Sequence, residues 1–218
     1  MVVREDADGT ICIPQTSHAW VSGQLARAWA DVGEPREDVI LAALQHDIGW
    51  AEWDLAPESD PDAGPPTPPT LPRSFMKMPT AARMEIWRPA ARRVQAQSLY
   101  AALLVSLHGT TLHAGLEEAQ DFLAEQRALQ EAWIAELGAD RDEVERHRAL
   151  IMLWDKLSLA LCLRWDPYET DGLTLERVED ETFTLRPWPF ADEAPVALRC
   201  QGRRLDGALV NIRFSIVP

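Results

Sequence analysis

Gln45-His46-Asp47-Ile48-Gly49-Trp50 sets a histidine beside an aspartate in a stretch that otherwise reads as a buried helix. Carboxylates are almost never fully buried unless they are paired or bind a metal. One nitrogen donor and one oxygen donor on a single helical turn therefore point to a metal site. Its remaining ligands must come from elsewhere in the chain.

Around the doublet, from about Ser17 to Trp165, apolar residues recur every three or four positions, with alanine and leucine dominant. This periodicity predicts helices over 18–31, 37–50, 80–87 with 89–108, 115–137 and 141–165. Ser17 is placed as the N-cap of the first, and Gly33, Gly109 and Gly138 stand where C-terminal caps belong. At the N-terminus, Met1-Val2-Val3, the polar turn Asp6-Ala7-Asp8-Gly9 and Ile11-Cys12-Ile13 predict a hairpin over 1–15. Beyond Trp165, the runs Thr182–Leu185, Val196–Cys200 and Leu209–Phe214 predict a short meander. The expected fold class is mainly α: a helical bundle with a short N-terminal β-hairpin and a small C-terminal antiparallel β region. Residues 1–165 form the metal-binding domain, and 166–218 pack on it as a β-rich extension.

A chain of 218 residues suffices for one sizeable core. Its net charge of −14 argues against a nucleic-acid or anionic-membrane binder, whose footprint is basic. No apolar run reaches the roughly 18–20 residues of a membrane span, and no signal peptide opens the chain. Cys12, Cys162 and Cys200 are scattered and odd in number, which suits a reducing, cytoplasmic setting and supplies no cysteine-zinc motif.

Seven prolines (57, 61, 65, 66, 68, 69 and 72) crowd the segment after the doublet. Proline removes backbone donors and restricts the chain, so 54–79 reads as a loop, either lid-like or a plain solvent loop. From Arg73 to Arg93 there are six basic residues and only Glu85 opposing them, a local charge of +5. Such a patch suits an anion, with Arg73 and Lys77 as candidate holders, or else a solvated helix face paired with carboxylates. Trp50, Trp53 and Trp87 are candidates for an aromatic pocket wall and equally for plain core.

Two further metal-capable residues lie on apolar helical faces. His18 shares its face with Val21, Ser22 and Leu25. Asp155 sits among Ile151, Met152, Ser158, Leu159 and Cys162, a stripe on which a carboxylate must pair or bind a metal. The adjacent Lys156 points about 100° away on the helix and is a poor partner. The order His18, His46-Asp47, Asp155 resembles the HD-domain superfamily of metal-dependent phosphohydrolases. The surrounding Ser17-His18-Ala19-Trp20 and Gln45–Trp50 are similar to an uncharacterised bacterial branch of it with an N-terminal hairpin. The resemblance spans roughly residues 1–165. It implies an HD-domain-like helical bundle in which these four side chains converge on a divalent metal.

His108, at the end of the apolar run Leu103–Leu107, is a fifth candidate, either a ligand or an acid/base poised over the site. His113 is a weaker one, placed on a loop after Gly109, and His147 reads as a surface residue. If His108 and a second histidine both ligate, Asp47 bridges two metals. Imidazole and carboxylate donors suit Mn, Fe, Co, Ni or Zn. A metal-activated water attacking a small anionic, phosphorylated substrate is the leading expectation, with Asp47 and His108 as the reacting-centre residues. The alternatives are a di-iron oxygenase on the same scaffold and a metal-stabilised regulatory protein without turnover. A homodimer is compatible with the sequence.

Overall fold

The computed structural model describes residues 1–62 and 70–218. Strands β1 (Val2–Asp6) and β2 (Gly9–Ile13) form the N-terminal hairpin. The helices follow: α1 (Gln15–Ala28), α2 (Arg36–Gln45), α3 (Ala51–Leu55), α4 (Thr80–Trp87), α5 (Ala90–Gln95), α6 (Leu99–Leu112), α7 (Gln120–Leu137) and α8 (Arg141–Leu163). Then come β3 (Tyr168–Thr170), β4 (Leu173–Glu179), β5 (Thr182–Arg186), β6 (Val196–Arg204) and β7 (Leu209–Val217).

The expected mainly-α class, with two small separate β pieces, is wrong. Strands make up 22% of the chain against 51% helix, and all seven join one curled mixed sheet, a half-barrel. Its order is β1-β2-β6-β7-β5-β4-β3. Two long-range pairings create it. Cys12 of β2 pairs with Arg203 of β6, uniting the two ends of the chain. β5 and β7 run parallel, with Phe183 opposite Ile216, so the C-terminal part is not a plain meander. Between β5 and β6 the chain crosses to the end of α1, where Ala30 N–H donates to the Pro189 carbonyl and Ala191 N–H to the Ala28 carbonyl. β3 and β4 escape the strand pattern because β4 carries Glu176, Arg177 and Glu179 on a largely exposed run.

The inner face of the sheet follows the period-two rule. Leu198 and Cys200 of β6 stand opposite Phe214 and Ile212 of β7, and all four are buried. α1 and α8 pack against this wall. Ser17, expected as an N-cap, lies inside α1 and accepts a hydrogen bond from Gln201 N–H of β6 instead. The N-terminus of α1 is served from α3, where Asp54 Oδ2 accepts from Thr16 N–H.

The curl is fixed by ion pairs between strands distant in the sheet order. Arg4 of β1, its side chain 4% exposed, donates to Glu181 in the β4–β5 turn at 2.5 Å and to the Cys162 carbonyl of α8. Arg164, the left-handed C-cap of α8, bridges Asp6 and the same Glu181.

Of the proline-rich segment, Pro65, Pro66, Pro68 and Pro69 lie outside the described residues, and so does the centre of the lid-like loop expected over 54–79. The flanks pair with each other: Asp60 N–H donates to the Leu71 carbonyl and Arg73 N–H to the Glu58 carbonyl. Among the described residues, no helix is long and apolar enough to cross a membrane.

Glu181→Ala leaves the buried Arg4 guanidinium short of its best partner. Urea unfolding is expected to show a loss of roughly 1–3 kcal/mol, and unchanged stability would mean that this network does not hold the curl.

Candidate metal centre

His46 and Asp47 do not sit within a helix, as the periodicity predicts, but at its end. α2 stops at Gln45, His46 is its C-cap, and Asp47 leaves the helical path at φ −103°, ψ 19°. A single 3-10 turn, Ile48–Trp50, follows. The break is held by close packing: a Cβ on Gly49 would stand 2.4 Å from the Ile86 carbonyl oxygen of α4. It lets two neighbouring side chains converge on one point instead of diverging around a helix.

Three other elements supply the remaining side chains: α1 brings His18, α6 brings His108 and α8 brings Asp155. All five are buried, none more than 5% exposed. Two overlapping groups, His18–His46–Asp47 and His46–His108–Asp155, each place three ligand atoms within 4.8 Å of one another, so the cluster has the makings of a metal site.

The hydrogen bonds aim the histidines. His46 Nδ1 faces the Ala43 carbonyl at 2.9 Å and therefore carries the proton, which turns the Nε2 lone pair inward. Ser158 Oγ donates to the Asp155 carbonyl and so accepts from His18 Nδ1, 2.9 Å away, while Ser22 donates to Ser158 from behind. A neutral His18 thus presents an Nε2 lone pair to Asp47 Oδ2 at 2.7 Å. Two lone pairs at that distance repel unless a proton or a metal ion joins them.

The separations bracket those around a common ion. Ligand atoms about 2.1 Å from one metal stand roughly 3–3.4 Å apart in octahedral or tetrahedral geometry. Besides the 2.7 Å contact, His46 Nε2 lies 3.4 Å from Asp155 Oδ1 and 3.8 Å from Asp47 Oδ2, and His108 Nε2 lies 3.7 Å from Asp155 Oδ2. His46 Nε2 and both ring nitrogens of His108 are buried without a hydrogen-bond partner. Buried polar atoms are rarely left so, and these residues fit a metal ion.

Without an ion, the carboxylates draw a proton onto His46 Nε2, the position that a metal would otherwise take. Burial alone pulls the His46 pKa down, but the Asp47 charge and then Asp155 outweigh it and hold it up to about 9. Burial alone raises Asp155, yet His46, then His108 and His18, hold it well below the usual carboxylate range. His108 is pushed down to about 4 by burial and by His46. The two carboxylates thus make a strong trap for positive charge.

A pocket of about 130 Å³ opens onto the cluster, with His18, Asp47, His108 and Asp155 at its floor. Trp50, Phe75 and Trp87 form walls, and Gln15, Arg83 and His113 also face it. Trp53 stacks edge-on against Trp50, 5.6 Å between centroids, and does not line the pocket. The expected anion holders are committed elsewhere: Arg73 pairs with Glu58 at 3.1 Å and Lys77 with Asp60 at 2.8 Å. The pocket's arginine is Arg83. A signal for it was present, since Arg83 and Trp87 stand four residues apart and so share one face of α4.

Two other histidines differ from expectation. α6 does not end at Gly109 but runs to Leu112, and the glycine serves close packing instead: a Cβ there would meet Trp87 at 2.8 Å. His113 is therefore the buried C-cap of α6, its Nδ1 donating to the Gly109 carbonyl at 2.7 Å. His147 is fully buried, held between the Tyr100 hydroxyl at 2.7 Å and the Val32 carbonyl at 3.0 Å.

Fold and site define a buried His/Asp cluster on helices backed by a half-barrel sheet. The chain belongs to the family described as "Protein of unknown function (DUF3891)", whose model matches residues 1–207. Comparison with curated proteins and with solved structures finds no match.

Ser158→Ala removes the acceptor that orients His18. Chelator competition is expected to show metal affinity falling about 10–100-fold with unchanged stoichiometry at saturation. Equal affinity would show that Ser158 does not set the His18 ring.

Proposed function

We propose that the protein is a metal-dependent phosphohydrolase or phosphodiesterase of the HD type, acting on a small phosphorylated molecule. The observation that carries this reading is the convergence of His18, His46, Asp47 and Asp155, with His18 Nε2 and Asp47 Oδ2 aimed at each other across 2.7 Å. These mixed imidazole and carboxylate donors suit a divalent first-row metal such as Mn, Fe, Co, Ni or Zn. The bound ion supplies Lewis-acid activation of water and of a phosphoryl oxygen.

The chain's own residues do the rest. Ser158 and the Ala43 carbonyl hold two imidazoles in the ligating tautomer. His108, which lines the pocket and has both ring nitrogens buried without a hydrogen-bond partner, is the residue to exchange a proton with a substrate oxygen. Trp50 and Trp87 narrow the approach and limit bulk water at the reacting centre.

A di-iron oxygenase is the second reading, favoured by His113. Its Nδ1 is satisfied by the Gly109 carbonyl, it lines the same pocket as His108, and its Nε2 is left as a ligand for a second ion.

Elemental analysis is expected to find one divalent ion per chain and none in Asp47→Ala, with phosphoester hydrolysis lost in that variant. Full metal occupancy in Asp47→Ala would overturn the site assignment. Two irons per chain with dioxygen consumption would transfer the reading to the oxygenase.

A further inference from the structure

We propose that Arg83 is the anion anchor of this site, gripping the phosphoryl group of a small phosphomonoester opposite the His/Asp cluster. The inference rests on the phosphohydrolase reading and adds the residue that selects the substrate and the size it accepts.

Among the described residues, Arg83 is the only arginine or lysine lining the pocket. It forms no ion pair with a carboxylate among the described residues, and residues 63–69 contain none to offer. One of its terminal nitrogens donates to Thr80 Oγ1 of its own helix at 3.3 Å, and its Nε is buried with no partner. Every other cation of the 73–93 run except Arg92 is paired: Arg73 with Glu58, Lys77 with Asp60 and Asp62, Arg88 with Glu125 and Arg93 with Glu52. A guanidinium spared in this way beside a pocket, with donors unspent, is arranged for an anion that arrives from outside. A phosphoryl group matches the fork of N–H donors and carries the oxygens that the cluster on the opposite side requires.

The dimensions limit what the anion can carry. A cavity of about 150 Å³ takes a ligand the size of benzene, and this pocket measures about 130 Å³. That is room for a phosphoryl group and a few more heavy atoms between Trp50, Phe75 and Trp87. A nucleoside attached to that phosphoryl group would have to lie in the open mouth, outside this volume.

The test is calorimetric titration of the metal-loaded protein with inorganic phosphate, a three-carbon phosphomonoester and adenosine monophosphate. Metal content is measured in parallel. Arg83→Met is expected to keep its metal and its thermal midpoint while losing at least about tenfold in phosphate affinity. Arg83→Lys, which keeps the charge without the fork, is expected to fall between the two and supplies the comparison if the methionine variant folds poorly. Adenosine monophosphate is expected to bind at least about tenfold more weakly than the three-carbon ester, about 1.4 kcal/mol. Wild-type phosphate affinity in both variants overturns the anchor, and equal affinity for the nucleotide overturns the size limit. Both results leave the metal centre standing, whereas a wild-type protein that holds no metal overturns the underlying reading instead.

Discussion

Two carboxylates, Asp47 and Asp155, are buried against three imidazoles, with no lysine or arginine paired to them among the described residues, and the rest of the structure accommodates that fact. An ionised carboxylate in a low-dielectric interior costs several kcal/mol unless a positive charge compensates it. Here the compensation has to come from a proton shared with a histidine or from a cation. The side chains come from four separate places in the chain, so the cluster exists only if α1, the end of α2, α6 and α8 are brought together to within a few ångströms.

Small residues make that approach possible. Gly23 of α1 lies against Leu44, Gly49 lies against the α4 backbone, and Gly109 of α6 lies under Trp87. Each lets two elements close by roughly the width of a methyl group. The sheet contributes from the far side. It backs α1 and α8, and the Arg4–Glu181–Arg164–Asp6 network pins the C-terminal end of α8 to the curl. His18 and Asp155 are thus held on helices fixed at both faces. Such support is what a binding constellation needs to keep its geometry.

How much of this was legible follows the range of the interactions. Helical periodicity is local, so α1, α2, α4, α7 and α8 can be read within a few residues. The inward faces of His18 and Asp155 can be read with them. Pairings between distant segments leave no local trace: nothing in Cys12 announces Arg203, and nothing in Phe183 announces a parallel partner at Ile216. Glycine misleads for a related reason. Gly109 carries the same letter whether it ends a helix or admits a tryptophan, and only Trp87, 22 residues earlier, decides between them. His147 lies among charged neighbours on α8, yet its own position faces Tyr100 and the Val32 carbonyl, contacts that the flanking charges conceal.

Charge distribution connects the site to the protein's overall acidity. A net charge of −14 repels anions at long range. The basic run 73–93 does little to reverse this, because most of its cations face carboxylates at ion-pair distance and present dipoles to solvent. Attraction for an anion is therefore concentrated where the surface is concave. There Arg83 has no ion-pair partner among the described residues, and Asp47 and Asp155, which could hold a cation, line the same pocket. A cation held there would offset the charge of the two carboxylates, and the low-dielectric walls of Trp50 and Trp87 would strengthen what field remains. Under the proposed function, the acidic surface would act as a filter against polyanions, while an anion small enough to enter would meet Arg83.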